Sequence, residues 1–258
     1  MSRGPPLPVV PSASVSASVS AASSASSVAH EPGPVERALA DLWRVERERF
    51  WRLANLGTIL RLRRRFALQT LRAADLTVVV PRGQVPDCEA CVDLCCTGPH
   101  AVVSLRLRDV AALVDRGLTA HLTFDRPPPP PSSSWARREA EGAVFARAFP
   151  VLTRDATGTC RFLTEQRLCG AWPSWPLSCA RYPYALDLQS RVVFYAKGCQ
   201  STRQATYDEA PARVRALVDA VVESYNARVR DVVLLAVARP RLRELGLLEW
   251  VREDQLGF

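Results

Sequence analysis

The sequence predicts an α+β protein: a small irregular sheet and loops gathered round a cysteine-rich centre, flanked by N- and C-terminal helices. Three observations predict it. Apolar residues recur at helical spacing between residues 34 and 76 and again after residue 204. Short alternating runs suited to strands lie between those stretches. All eight cysteines fall in that middle part, from Cys88 to Cys199.

Taken in order, residues 1–33 are rich in Ser, Ala and Pro, and serine at nearly every second position interrupts any apolar run. Such a stretch offers neither a secretory leader nor enough apolar surface to offset its ordering entropy, so a disordered tail is expected. Residues 34–76 form an Arg-rich helical segment. It opens on P-V-E-R-A-L-A-D-L-W, with proline in a first turn, and Val35, Leu39, Leu42, Trp43, Phe50, Leu53 and Leu56 follow near helical period. Gly57 is expected to weaken or break that helix before L-R-L-R-R-R-F resumes it. Arg61, Arg63, Arg64 and Arg65 could bind phosphate or acidic lipid; the expected reading is a solvated helix face.

Residues 77–203 form the cysteine-cluster domain. Within it V-V-S-L-R-L-R, 102–108, alternates as a half-buried strand does, and D-V-A-A-L-V-D-R-G follows as a short helix with Asp109 near its start and Gly117 at its end. Five prolines and three serines mark a linker over 126–134. Beyond it A-V-F-A-R-A-F-P-V-L and T-C-R-F-L are candidate strands joined by R-D-A-T-G, and R-V-V-F-Y-A is another. Residues 204–258 are helical: Val214, Leu217, Val218, Val221, Val222, Tyr225, Val229, Val232 and Val233 keep the i, i+3, i+4 spacing for about five turns. Pro240 is expected to end that helix, and the N-terminal helices to pack on it, because neither apolar stripe is stable in water.

Composition narrows the function classes. The 258 residues carry a formal charge of +8, but of 34 basic residues only Lys197 is lysine. An arginine excess that lopsided, beside abundant Ala, Val and Pro, reads as coding bias rather than as a binding surface. Nucleic acid is therefore the least favoured partner, since aromatic interleaving and finger-type cysteine spacing are also missing. No window approaches the ~18 uninterrupted apolar residues of a membrane span. A reducing, cytoplasmic setting is expected, where cysteine clusters more often hold metal than form disulfides.

The cysteines carry the chemistry. Cys88, Cys91, Cys95 and Cys96 form C-x2-C-x3-C-C, and Cys160, Cys169, Cys179 and Cys199 follow at wider intervals. A C-x2-C pair lets two thiolates approach one cation from a single tight turn, as zinc and iron-sulfur sites require. All eight are candidate metal ligands for zinc or iron, an iron-sulfur cluster included. Adjacent side chains in extended chain point apart, so Cys95 and Cys96 do not easily fill two corners of one tetrahedron. Two four-ligand sites, or one polynuclear cluster with a spare reactive thiol, both remain open, and Cys199 is either a ligand or a small core residue. His100 lies within reach of Cys96 but is read as a non-ligand; His30 falls in the tail and His121 in a surface segment. Asp87, Glu89 and Asp93, between the thiols, are read as solvating a surface loop.

This pattern resembles the YkgJ-type cysteine-cluster family, described as zinc- or iron-chelating domains. C-E-A-C-V-D-L-C-C, L-R-L-R-D-V-A-A-L, C-R-F-L-T-E-Q-R-L-C and W-P-L-S-C-A-R-Y-P-Y follow the family's order over about 88–199, and Cys88, Cys91, Cys95, Cys96, Cys160, Cys169 and Cys179 each fall on a family cysteine. Trp175 stands where the family has arginine, and Ala180 follows Cys179 where arginine is usual, with Arg181 displaced by one. The resemblance implies metal chelation without an established reaction. A related arrangement in flagellin lysine methylases makes a redox or protein-modifying enzyme the alternative, although no glycine-rich loop suited to an adenosyl cofactor is present.

Overall fold

The structure is a computed structural model and describes residues 31–52, 55–66, 68–79, 84–86, 96–97, 102–126, 147–171, 174–188, 190–195, 202–204 and 209–256. It is α+β. Six helices are described: α1 (Pro34–Phe50), α2 (Leu56–Phe66), α3 (Leu107–Asp115), α4 (Leu177–Ala180), α5 (Glu209–Val237) and α6 (Arg239–Glu244). The strands are short: β1 (Thr77–Val79), β2 (Gln84–Pro86), β3 (Leu122–Thr123), β4 (Val151–Leu152), β5 (Tyr184–Asp187), β6 (Val192–Tyr195) and β7 (Thr202–Gln204).

The long helix α5 is the spine. Its N-terminal half presents Val218 and Val221, with Val214 and Leu217 beside them, to Tyr184 and Val193 of a three-stranded sheet ordered β1-β6-β5. β1 runs parallel to β6, and β5 antiparallel. Its C-terminal half is buried on every side from Asp231 to Leu235 and anchors a larger core with α1, α2, α3, α6 and the loops over 148–171. Burying each of those aliphatic side chains contributes about 1.5–3 kcal/mol, so this end of α5 organises the molecule. The N-terminal helices do pack on α5, as their stripes require, and α1 also lies along α3.

Helix α1 begins where the proline places it, and its free N–H groups are capped from a distant element. The Asp115 carboxylate, at the end of α3, accepts from Val35 N and Glu36 N at 2.9 Å each. The break after α1 comes earlier than Gly57, which lies in the first turn of α2. Asn55 explains it: its side-chain amide donates to the Arg49 carbonyl at 2.8 Å and closes the end of α1.

Two other expectations need correction. The run 102–108 pairs only at Ser104 with Val151, because the Asp109 carboxylate takes the Arg106 N–H at 2.8 Å and starts α3 at Leu107. T-C-R-F-L forms no ladder, since beyond β4 the chain makes isolated bridges between turns, and in the preceding run, whose residues 143–146 lie outside the described residues, Arg147 and Ala148 are helical. The long helix ends at Val237, just before Pro240 as expected, and that proline sits in the first turn of α6, where its missing N–H costs nothing. The expected end of α3 at Gly117, which takes φ 67, the turn over 154–158 and the strand within R-V-V-F-Y-A are all present. Residues 1–30 of the predicted tail and 127–134 of the predicted linker lie outside the described residues; Arg126, at the linker's start, donates to Phe149 O at 2.9 Å.

Candidate metal centre

Of the eight predicted ligands, Cys96, Cys160, Cys169 and Cys179 are described, while Cys88, Cys91, Cys95 and Cys199 lie outside the described residues, as do His30, His100, Asp87, Glu89 and Asp93. The four described cysteines arrive on separate loops, each held by a local device.

Two consecutive tight turns deliver Cys160 and Cys169. In the first, Asp155 Oδ1 accepts from Thr157 N and Thr159 N at 2.9 Å each, and Gly158 takes φ 84, so the chain reverses and Cys160 bridges back to Arg154. In the second, Thr164 N donates to Leu168 O and Arg167 takes φ 62, which brings Cys169 back beside Leu163. Cys96 is tied to the first turn by its own carbonyl, which accepts from Cys160 N at 2.7 Å and from Arg154 Nη1 at 3.1 Å. Cys179 rides on α4, whose first N–H, that of Leu177, donates to Asp109 Oδ1 at 3.0 Å, and Ser178 Oγ donates to Ser104 O at 2.6 Å.

Cys96, Cys169 and Cys160 lie within electrostatic range of Cys179. The charges acting on the Cys179 thiol are those of Cys96, Cys169, Cys160 and Asp109, all of which add to burial in pushing it far above the ordinary thiol range. Burial also pushes Cys160 up, with Cys96 adding to the shift and Arg154 opposing it. Cys160 is buried, and Cys96, Cys169 and Cys179 are half-buried. Left to themselves Cys160 and Cys179 stay protonated; an arriving cation would reverse that balance, since thiolate ligation releases the protons. Among the described residues no three or more of His, Cys, Asp and Glu are grouped closely enough to hold a metal ion.

Arginines surround the thiols. Arg154 spans Cys96 O and Gly158 O, and Arg116 donates to Gly170 O and Ala171 O, at 3.1 and 2.8 Å, just after Cys169. Arg181 lies beside Cys179, which opposes the burial that lowers the arginine's pKa. His121 packs its ring on Phe162, 4.7 Å between centroids.

Behind this region lies a buried charged group that sequence reasoning did not assemble. Arg106, Asp109 and Asp231 are enclosed together: burial lowers Arg106 to about 10 against the pull of Asp231 and Asp109, and raises Asp109 to about 6 and Asp231 to about 7. Leu107 N donates to Asp231 at 3.4 Å. The available signal was Asp231 itself, a carboxylate that with Arg230 directly precedes the apolar run from Val232 to Ala238. Among the described residues no helix is long and apolar enough to cross a membrane. No family model, no curated protein and no solved structure matches this chain.

Proposed function

We propose that this chain is a cytoplasmic metal-binding protein whose cysteine thiolates hold zinc or iron, an iron-sulfur cluster included. The observation that carries the reading is that Cys96, Cys160 and Cys169, borne on separate loops, all lie within electrostatic range of Cys179. Sulfur on half-buried loops, with no disulfide among these four, gains most from a cation that the thiolates share. The remaining ligands would come from Cys88, Cys91, Cys95 and Cys199. Backbone connectivity is compatible with that set. Pro86 pairs with Thr202 at one end of the β2–β7 ladder. Cys88 follows Pro86 by two residues and Cys199 precedes Thr202 by three in sequence, both outside the described residues. The resemblance to the YkgJ-type family points the same way.

The alternative is a redox or protein-modifying enzyme, related in its cysteine arrangement to flagellin lysine methylases. A nucleophilic thiol needs a depressed pKa and access, and burial moves both Cys160 and Cys179 the other way. Chelation is therefore the better-supported reading.

Anaerobic purification followed by metal and acid-labile sulfide analysis tests it. Stoichiometric zinc or iron is expected, with large losses on Cys88→Ala, Cys160→Ala and Cys179→Ala. Substoichiometric metal that these substitutions leave unchanged would overturn the proposal. Charge-transfer bands in fresh protein would favour a cluster over colourless zinc.

A further inference from the structure

The surface where α1 passes into α2 is unlike the rest of the described exterior. Of the large apolar side chains most exposed to solvent, Val45, Trp51, Leu56 and Leu60 fall within sixteen consecutive positions, at 47%, 41%, 49% and 56% exposure. Helix α2 is committed to the core by Ile59 and Leu62, both buried. That fixes Leu56 and Leu60, one turn apart, on its outer side, and Arg63 and Arg64 continue the same strip one turn further on. Phe50, fully buried, holds the Trp51 ring edge-on at 5.0 Å, and the Arg63 guanidinium lies 5.8 Å from that ring.

Charge distinguishes this strip from an ordinary solvated face. A solvated helix usually interleaves both signs, and α1 does so, with Arg44 paired to Asp41 and Arg49 to Glu46. Helix α2 carries no acidic residue, while Arg61, Arg63 and Arg64 are exposed on it and Arg52 just before it. The arginine-rich composition of the chain does not account for exposed leucine and tryptophan on the same strip.

We propose that the α1–α2 corner docks on an anionic lipid surface. The patch is a strip of exposed apolar side chains edged by cations that no carboxylate of α2 offsets. Leu56, Leu60 and Trp51 can enter the headgroup boundary while Arg63 and Arg64, on long flexible stems, reach the phosphates. Such a surface binds reversibly and needs no spanning helix. The inference is independent of metal binding.

Co-sedimentation of the full chain with vesicles of phosphatidylcholine, alone or mixed with phosphatidylglycerol, tests it. Binding is expected to the mixed vesicles only, and to weaken with salt. Arg63→Gln with Arg64→Gln, and separately Leu56→Ser with Leu60→Ser, should each lower partitioning at least about tenfold. All four side chains are exposed, and unchanged far-ultraviolet circular dichroism of each pair is the control on folding. Failure to pellet with anionic vesicles, equal binding to neutral ones, or wild-type binding by either pair overturns the proposal. Retention on immobilised polyglutamate without vesicle binding also overturns it and assigns the face to an acidic protein.

Discussion

The carboxylate of Asp109 accepts a hydrogen bond at 3.0 Å from the backbone N–H of Leu177, 68 residues further along the chain. Its other oxygen accepts from Arg106 N at 2.8 Å. One side chain therefore starts α3 and fixes the first turn of α4, the helix that presents Cys179. Asp109→Ala removes both acceptors from buried donors and should cost about 3 kcal/mol in chemical denaturation. If the tie orients Cys179 for metal, zinc affinity measured by chelator competition should also fall about 10- to 100-fold, with Asp109→Asn between the two. Lost stability with unchanged zinc affinity would leave Asp109 a purely structural cap.

The buried carboxyl of Asp231 supplies a pH prediction. Burial raises it to about 7, against the nearby Arg106 and Arg230, so below that pH it holds a proton in the folded protein that the unfolded chain, near the ordinary 3.8, has released. A group that binds protons more tightly when folded loses its contribution as pH rises. Stability should therefore decline between about pH 4 and pH 7 and level off above, with Asp109, raised to about 6, adding to the decline below pH 6 and urea midpoints as the measurement. Asp231→Asn should flatten the part of the slope between pH 6 and pH 7. Asp231→Ala should instead cost about 3 kcal/mol above pH 7, where it strips a counter-charge from the enclosed Arg106, and less near pH 5, where that carboxyl is protonated.

The sequence revealed most where a periodic apolar pattern coincided with a local stop signal. Helices α1 and α3 are of this kind, with Pro34 and Asp109 at their starts and Gly117 past the end of α3. It misled where a side chain acting over distance overrode local pattern. Alternation over 102–108 reads as a strand until Asp109 caps the chain into a helix, and Gly57 reads as a breaker until Asn55 closes α1 before it. The strands β1, β2, β5 and β7 span four residues at most, too few for alternation to register, and they exist because α5 offers them a surface or because they pair with each other. At the site, cysteine spacing singled out the thiols, whereas Arg106 and Asp231, 125 positions apart, meet only through the packing of α5 on the start of α3.

Asn226 joins the two parts of the molecule. Its side-chain amide imitates a strand partner: Oδ1 accepts from Leu71 N and Nδ2 donates to Leu71 O, both at 2.9 Å. Leu71 is buried and precedes the segment that leads into β1. Asn226→Ala should cost about 2 kcal/mol by leaving both backbone groups without that partner. Asn226→Asp, an acceptor at both positions, cannot donate to the carbonyl and should recover only part of the loss. Hydrogen exchange at the Leu71 amide separates this from a general loosening, since it should quicken more than exchange in α3.

Gly33 and Asp115 offer a test of capping across the chain. A Cβ at residue 33 would overlap the Asp115 carboxyl group, so Gly33→Ala requires that carboxylate to swing away from Val35 N and Glu36 N. The cost of the substitution is then mainly the lost cap, about 1–2 kcal/mol, and not a conformational penalty on residue 33, whose φ of −71° any residue adopts. Asp115→Ala removes the same cap directly and should cost a similar amount. Because the two changes destroy one interaction, their effects should not add: the double variant is expected to be no less stable than the weaker single variant by more than a few tenths of a kcal/mol. Full additivity in urea unfolding would mean that Gly33 matters for a reason other than the approach of Asp115, and would remove the capping account of how α1 is fastened to α3.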